Sequence, residues 1–119
     1  MHYVQPWQVT LFLFQFKEFA QNNFKFVERE KSLDSLTCIG ITIQQAKKEI
    51  LCLTYEDYCK GPLPDVGTTG GELWEFGKMI EGEEIFIRLK VVLQYKLAKC
   101  QSFHIAEQPL QYPYKGGYK

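Results

Sequence analysis

The chain has 119 residues, 45% hydrophobic and 15% aromatic, enough to bury the core of one domain without disulfide or metal support and too apolar for a disordered segment. Its formal net charge of zero excludes a protein that binds polyanions through a uniformly cationic surface. The charges are uneven, however: residues 1–84 hold eight basic and thirteen acidic side chains and residues 85–119 hold six and one, so the C-terminal part can present a local phosphate-binding face.

Trp7 to Gln21 reads as a helix in which Trp7, Leu11, Phe14 and Ala20 are joined by Phe12, Phe16 and Phe19, a distribution that predicts packing over much of its circumference. No basic region precedes its apolar run, and Val9 to Phe16 is interrupted by Thr10 and Gln15 and far too short to span a bilayer; a cytoplasmic protein without a membrane partner is expected. Asn22-Asn23 ends the helix, and the alternation of Phe24 to Arg29 predicts a short strand. Ser32 to Leu36 predicts a short helix, with Ser32 and Ser35 as candidate caps and a stop near Gly40. Thr42 followed by Gln45 forms a capping-box pattern for a helix over 43–53, whose Ile43, Ala46, Ile50 and Leu53 share one face.

Thr54 and Asp57 can start one more turn before Gly61-Pro62-Leu63-Pro64-Asp65, a run expected to exclude regular structure. Gly67-Thr68-Thr69-Gly70-Gly71 lacks the Lys-Ser/Thr that closes a phosphate-binding P-loop and reads as a surface loop. An antiparallel meander follows: Glu72 to Ile80, a turn at Glu81-Gly82, Glu83 to Val92, a linker near Gln94 to Ala98, and Lys99 to Ile105. Pro109 and Pro113 end the regular structure, and the tail over 111–119 either packs through its tyrosines or hangs free. The expectation is a single α+β domain over residues 1–119, with N-terminal helices on a twisted antiparallel sheet.

The cysteines Cys38, Cys52, Cys59 and Cys100 show no Cys-x-x-Cys spacing and only two histidines accompany them, so reduced, mostly buried thiols are expected, and neither a metal nor another cofactor. His104 is the first catalytic candidate, because its imidazole titrates near neutrality and Glu107 stands three residues later. A histidine at a strand end can also serve only to satisfy a hydrogen bond. Period-two alternation places Ile85, Ile87 and Leu89 opposite Phe86, Arg88 and Lys90, and Cys100, Ser102 and His104 opposite Gln101, Phe103 and Ile105. If the two strands are neighbours, Phe86, Arg88, Ser102 and His104 form one patch: a ring to stack a base, a guanidinium to hold a phosphate, and an imidazole to move a proton.

The segments Leu53-Thr54-Tyr55-Glu56-Asp57-Tyr58-Cys59-Lys60, Leu73-Trp74-Glu75-Phe76-Gly77-Lys78, Gly82 to Leu89 and Cys100-Gln101-Ser102-Phe103-His104 resemble the MqsR family of type II toxin–antitoxin toxins, small ribonucleases of the RelE-like superfamily. The Gly-Pro-Leu-Pro-Asp loop and the Ser-Phe-His-x-Ala-Glu-x-Pro-Leu tail are similar to a divergent branch of it, and the likeness covers residues 42–114. It implies an mRNA interferase silenced by a partner antitoxin, with family site positions on Lys60, Glu75, Phe86 and His104. Phe86 lacks the hydroxyl of the tyrosine expected there, His104 replaces a lysine, and Glu75 replaces a neutral amide.

The expected chemistry is metal-independent RNA cleavage by attack of a 2′-hydroxyl on its own phosphodiester. His104 would transfer a proton, Arg88 and Lys60 stabilise the phosphorane, and Glu75 or Glu107 act as base or orient the imidazole. Phe86, Lys90, Lys99 and Ser102 are the expected RNA contacts. The competing expectation is a non-catalytic binding protein, or an inactivated toxin, that docks a protein partner. In that case the three cationic candidates should be scattered or paired in salt bridges.

Overall fold

In the computed structural model, which describes residues 4–66 and 70–116, three helices lie on one face of a five-stranded sheet. The first helix, α1 (Pro6–Ala20), starts on a proline whose fixed φ suits the first helical turn, and the Gln5 amide donates to Gln8 Oε1 at 2.7 Å. Val9, Leu13, Phe16 and Ala20 form its buried stripe. The expectation of packing around the circumference fails: Trp7, Leu11 and Phe14 are 65%, 60% and 65% exposed, because a helix in a two-layer fold has only one face against its sheet.

The strand β1 (Phe24–Phe26) is shorter than the alternation suggested, since Arg29 already caps α2 (Glu30–Ile39). That helix closes on Gly40, in the left-handed conformation at φ 75°. Ser32 and Ser35 are buried and do not cap it. Ser32 Oγ accepts from the Phe103 amide at 3.3 Å and Ser35 Oγ from the Ile105 amide at 3.0 Å, which covers strand donors that β1 is too short to reach. Next, α3 (Ile43–Leu51) begins with the expected Thr42–Gln45 capping box, and a 3-10 turn at Tyr55–Asp57 begins on Thr54, whose amide donates to Asp57.

Where the Gly-Pro run was expected to be irregular, β2 (Tyr58–Pro64) forms instead. It lies at the sheet edge with two register shifts, the place where prolines, having no amide to donate, are tolerated. The strands β3 (Glu72–Ile80) and β4 (Glu83–Val92) match the expected bounds and meet at Glu81-Gly82, both at positive φ. The last strand, β5 (Leu97–Ile105), starts two residues earlier than expected. The order is β1-β5-β4-β3-β2, antiparallel except for the parallel pair of β1 with β5, so the sheet is mixed. Between sheet and helices, Ile85, Ile87, Leu89, Phe76 and Phe103 are fully buried, and Phe12 stacks on Trp74 at 4.6 Å.

A bulge in β5 corrects one expected face. Arg88 pairs with Ser102 but Leu89 pairs with Cys100, so Gln101 is the extra residue, and Cys100 joins Phe103 in the core while Ser102 and His104 face away. All four thiols are free, but only Cys100 is buried; Cys59 is half-buried and Cys38 and Cys52 are exposed, against the expectation of mostly buried thiols. Among the described residues, no helix is long and apolar enough to cross a membrane, and no three His, Cys, Asp or Glu side chains gather as a metal site needs.

The sheet's second face is covered at both ends. At one, Asp65 meets Lys90 at 2.7 Å, with the lysine side chain 1% exposed. At the other, the tail crosses the strands: Glu84 accepts from the Leu110 amide at 3.1 Å and from the Tyr112 hydroxyl at 2.8 Å. Gly77 makes room for it, because a methyl group there would collide with Leu110 and Tyr112. Tyr114 then stacks on Tyr58 and donates to the Val4 carbonyl at 2.7 Å, so the tail packs through its tyrosines Tyr112 and Tyr114 while Gln111, Lys115 and Gly116 are exposed; residues 117–119 lie outside the described residues.

The Asp65–Lys90 pair yields a stability prediction. Lys90→Met should destabilise the fold by about 3–5 kcal/mol, because it leaves a carboxylate without its counter-charge, and adding Asp65→Leu should recover most of that loss. Urea unfolding followed by tryptophan fluorescence reads both variants. A single variant as stable as wild type would show that the pair is not needed to hold this end closed.

Candidate functional site

The register assembles the second face of the sheet row by row, from the covered ends to the open middle. Lys60, Glu75, Arg88 and Ser102 lie opposite one another across β2, β3, β4 and β5. The adjacent row holds Gly77, Phe86 and His104. On the other side, Leu73, Lys90, Lys99 and Lys25 follow across β3, β4, β5 and β1. The register of β4 with β5 therefore places Phe86, Arg88, Ser102 and His104 on one side of the sheet, as the sequence predicted, but Ser102, expected as an RNA contact, is buried at 6% exposure.

These side chains touch in series. Arg88 Nη2 lies 2.8 Å from Glu75 Oε2, the Arg88 guanidinium carbon sits 5.3 Å from the Phe86 ring centre, and the Phe86 and His104 rings are 5.2 Å apart. His104 Nδ1 lies 2.9 Å from the Ile105 carbonyl, which only accepts, so Nδ1 carries the hydrogen and the neutral ring keeps its lone pair on Nε2. The imidazole is thus oriented by backbone.

The remaining candidates divide by their partners. Lys60 is exposed, and Lys60, Lys99 and Lys25 have no ion-pair partner among the described residues. Lys90, expected as an RNA contact, is buried against Asp65 and offers no ammonium to a ligand. Glu75 is 9% exposed and bound to Arg88, so it is not a free base. Glu107 is exposed and pairs with Lys31 at 3.0 Å; that lysine's hydrogen bond and charge, with a lesser effect from His104, hold its carboxyl below the usual range. It does not orient the imidazole.

Three features were not foreseen. Lys25 joins the basic row because β1 pairs with β5, and the flanking Phe24 and Phe26 signalled that it points away from the core but not which strand it meets. Arg88 Nε and Gln101 Oε1 are buried without a hydrogen-bond partner, an unpaired donor and an unpaired acceptor on adjoining strands. Cys59 neighbours the site's carboxylates: burial pushes its thiol up to about 12, helped by the charges of Glu75, Glu84 and Asp57. No sequence pattern marks either the bulge at Gln101 or the thiol.

A partly open, cationic face with one aromatic ring and an imidazole can bind an anionic, base-bearing polymer and exchange a proton with it. Comparisons with known protein families, with curated proteins and with solved structures found no match to this chain.

The raised Cys59 pKa has a measurable sign. A thiol with a pKa of about 12 is ionised only to roughly one part in ten thousand at pH 8. In native buffer at that pH, a disulfide-exchange reagent should titrate Cys38 and Cys52 and spare Cys59 and Cys100, with all four reacting in denaturant. Rapid native labelling of Cys59 would contradict its burial among carboxylates.

Proposed function

We propose that the chain is a metal-independent endoribonuclease that binds single-stranded RNA across the exposed face of its sheet, acting in the cytoplasm as the toxin of a type II toxin–antitoxin system. The supporting observation is the convergence, on that face, of Arg88, Phe86 and His104 in one contact series, with Lys60 in the row of Arg88. The toxin assignment, with an antitoxin protein as partner, rests on the resemblance of residues 42–114 to the MqsR family.

In this reading a base stacks on Phe86 while the scissile phosphate lies over Arg88 and Lys60. The 2′-hydroxyl attacks the adjacent phosphorus, the bond to the 5′-oxygen breaks, and a 2′,3′-cyclic phosphate and a 5′-hydroxyl result. His104, through Nε2, moves a proton during this exchange, and the two cations stabilise the charge that builds on the phosphorane. Glu75 fixes the plane of the guanidinium in the resting protein and must yield part of it to the phosphate. Its grip on Arg88 is also the observation that favours a second reading, in which the face binds a partner without cutting it.

Each of the catalytic groups should contribute on the order of 2–4 kcal/mol to barrier lowering. Induced in a bacterial host, the wild-type chain should arrest growth and generate new RNA 5′ ends at a recurring short sequence. His104→Ala and Arg88→Ala should abolish both effects, and purified His104→Ala should cleave about a hundredfold more slowly with unchanged circular dichroism. Normal growth with intact RNA from soluble wild-type protein would discard the nuclease in favour of the binding protein.

A further inference from the structure

On the opposite side of the sheet, the outward stripe of α1 borders an apolar groove of about 700 Å³ that runs past the ends of β2, β3 and β4. Trp7, Leu11 and Phe14 form one wall at helical spacing, and Leu93, 66% exposed, stands on the other. Exposed large apolar side chains gathered along one helix face and rimmed by polar residues mark a surface that a partner can cover. Among the described residues that line it only two are charged, Glu18 and Glu72; both are acidic and exposed, and neither has an ion-pair partner among the described residues.

We propose that this groove docks an amphipathic helix of a partner protein that carries lysines or arginines along the edges of its apolar face. The acidic rim supplies the complementarity, steering the cationic edges while the apolar face fills the groove. A second copy of the chain fits poorly. The apolar stripe it would bring is that of α1, whose Glu18 would face Glu72, and whose one basic residue, Lys17, is held on the Leu53 carbonyl at 2.7 Å. An added strand fits poorly as well, because the adjacent edge strand carries Pro62 and Pro64, which have no amide to donate. None of the groove residues belongs to the proposed RNA face, so this inference stands whether or not the chain is a nuclease.

The chain's two tryptophans, Trp7 and Trp74, both line the groove, so its intrinsic fluorescence reports on occupancy. The probes are two tryptophan-free, 18-residue helical peptides with the same leucine face, one flanked by lysines and the other by glutamates. The lysine peptide should shift the emission to the blue and bind at least about tenfold tighter than the glutamate peptide at low salt. Glu18→Gln with Glu72→Gln should narrow that preference to less than about threefold, and Leu11→Glu or Phe14→Glu should abolish binding of both peptides. These side chains are exposed, and unchanged circular dichroism and melting confirm that each variant is folded. The proposal is overturned if the peptides bind equally or not at all, if the preference survives the double glutamine variant, or if binding survives both Leu11→Glu and Phe14→Glu. A doubled mass by sedimentation, with a blue shift that grows with protein concentration in the absence of peptide, would assign the groove to a second copy instead.

Discussion

A slip of β4 by one residue would bring Arg88 beneath α1 and turn Ile87 out to solvent, and most other features of the molecule depend on the prohibition of that slip. Ile85, Ile87 and Leu89 are fully buried on one side of this strand, whereas Phe86 and Arg88 lie on the other. Burying a bare guanidinium costs far more than any ladder hydrogen bond returns, so the register is fixed by electrostatics as much as by apolar contact. With β4 fixed, β3 and β5 acquire their partners residue by residue, and the cross-strand rows that bring Lys60 and Ser102 to either side of the Glu75–Arg88 pair follow without any dedicated interaction.

The ends of the exposed face are closed by charge and by polar contacts. Asp65 neutralises Lys90, and Glu84 takes two hydrogen bonds from the returning tail. Both devices use ionisable groups as structure, which leaves the middle of the face with Arg88, His104 and the outlying lysines. The overall neutrality of the chain is therefore a poor guide to this surface, because several of its charges are spent in pairs.

Much of this was legible in the sequence where a short-range rule acts alone. The Thr42–Gln45 box started its helix, Glu81-Gly82 turned the hairpin between β3 and β4, and alternation sorted the faces of β4. Elsewhere a longer-range condition decided the outcome. The Gly-Pro run became a strand because an edge tolerates missing donors, and the α1 aromatics stayed exposed because only one layer of sheet was there to cover them. Ser32 and Ser35 look like caps in sequence, but their hydroxyls were drawn to strand amides 71 and 70 residues away. The patch around Arg88 was foreseen because alternation carries across paired strands; the bulge at Gln101 and the attachments of Glu75 and Glu107 were not, since they depend on neighbours that no local pattern names.

The position of β5 governs when the sheet can be completed. It sits between β1 and β4, carries Ser102 and His104, and binds both α2 serines, yet of the five strands it is the last in chain order. No shorter nascent chain can join β1 to the sheet or bring the imidazole beside Phe86. The strand that joins β1 to the sheet is also the one that brings the imidazole to Phe86, so the order of synthesis ties the two together.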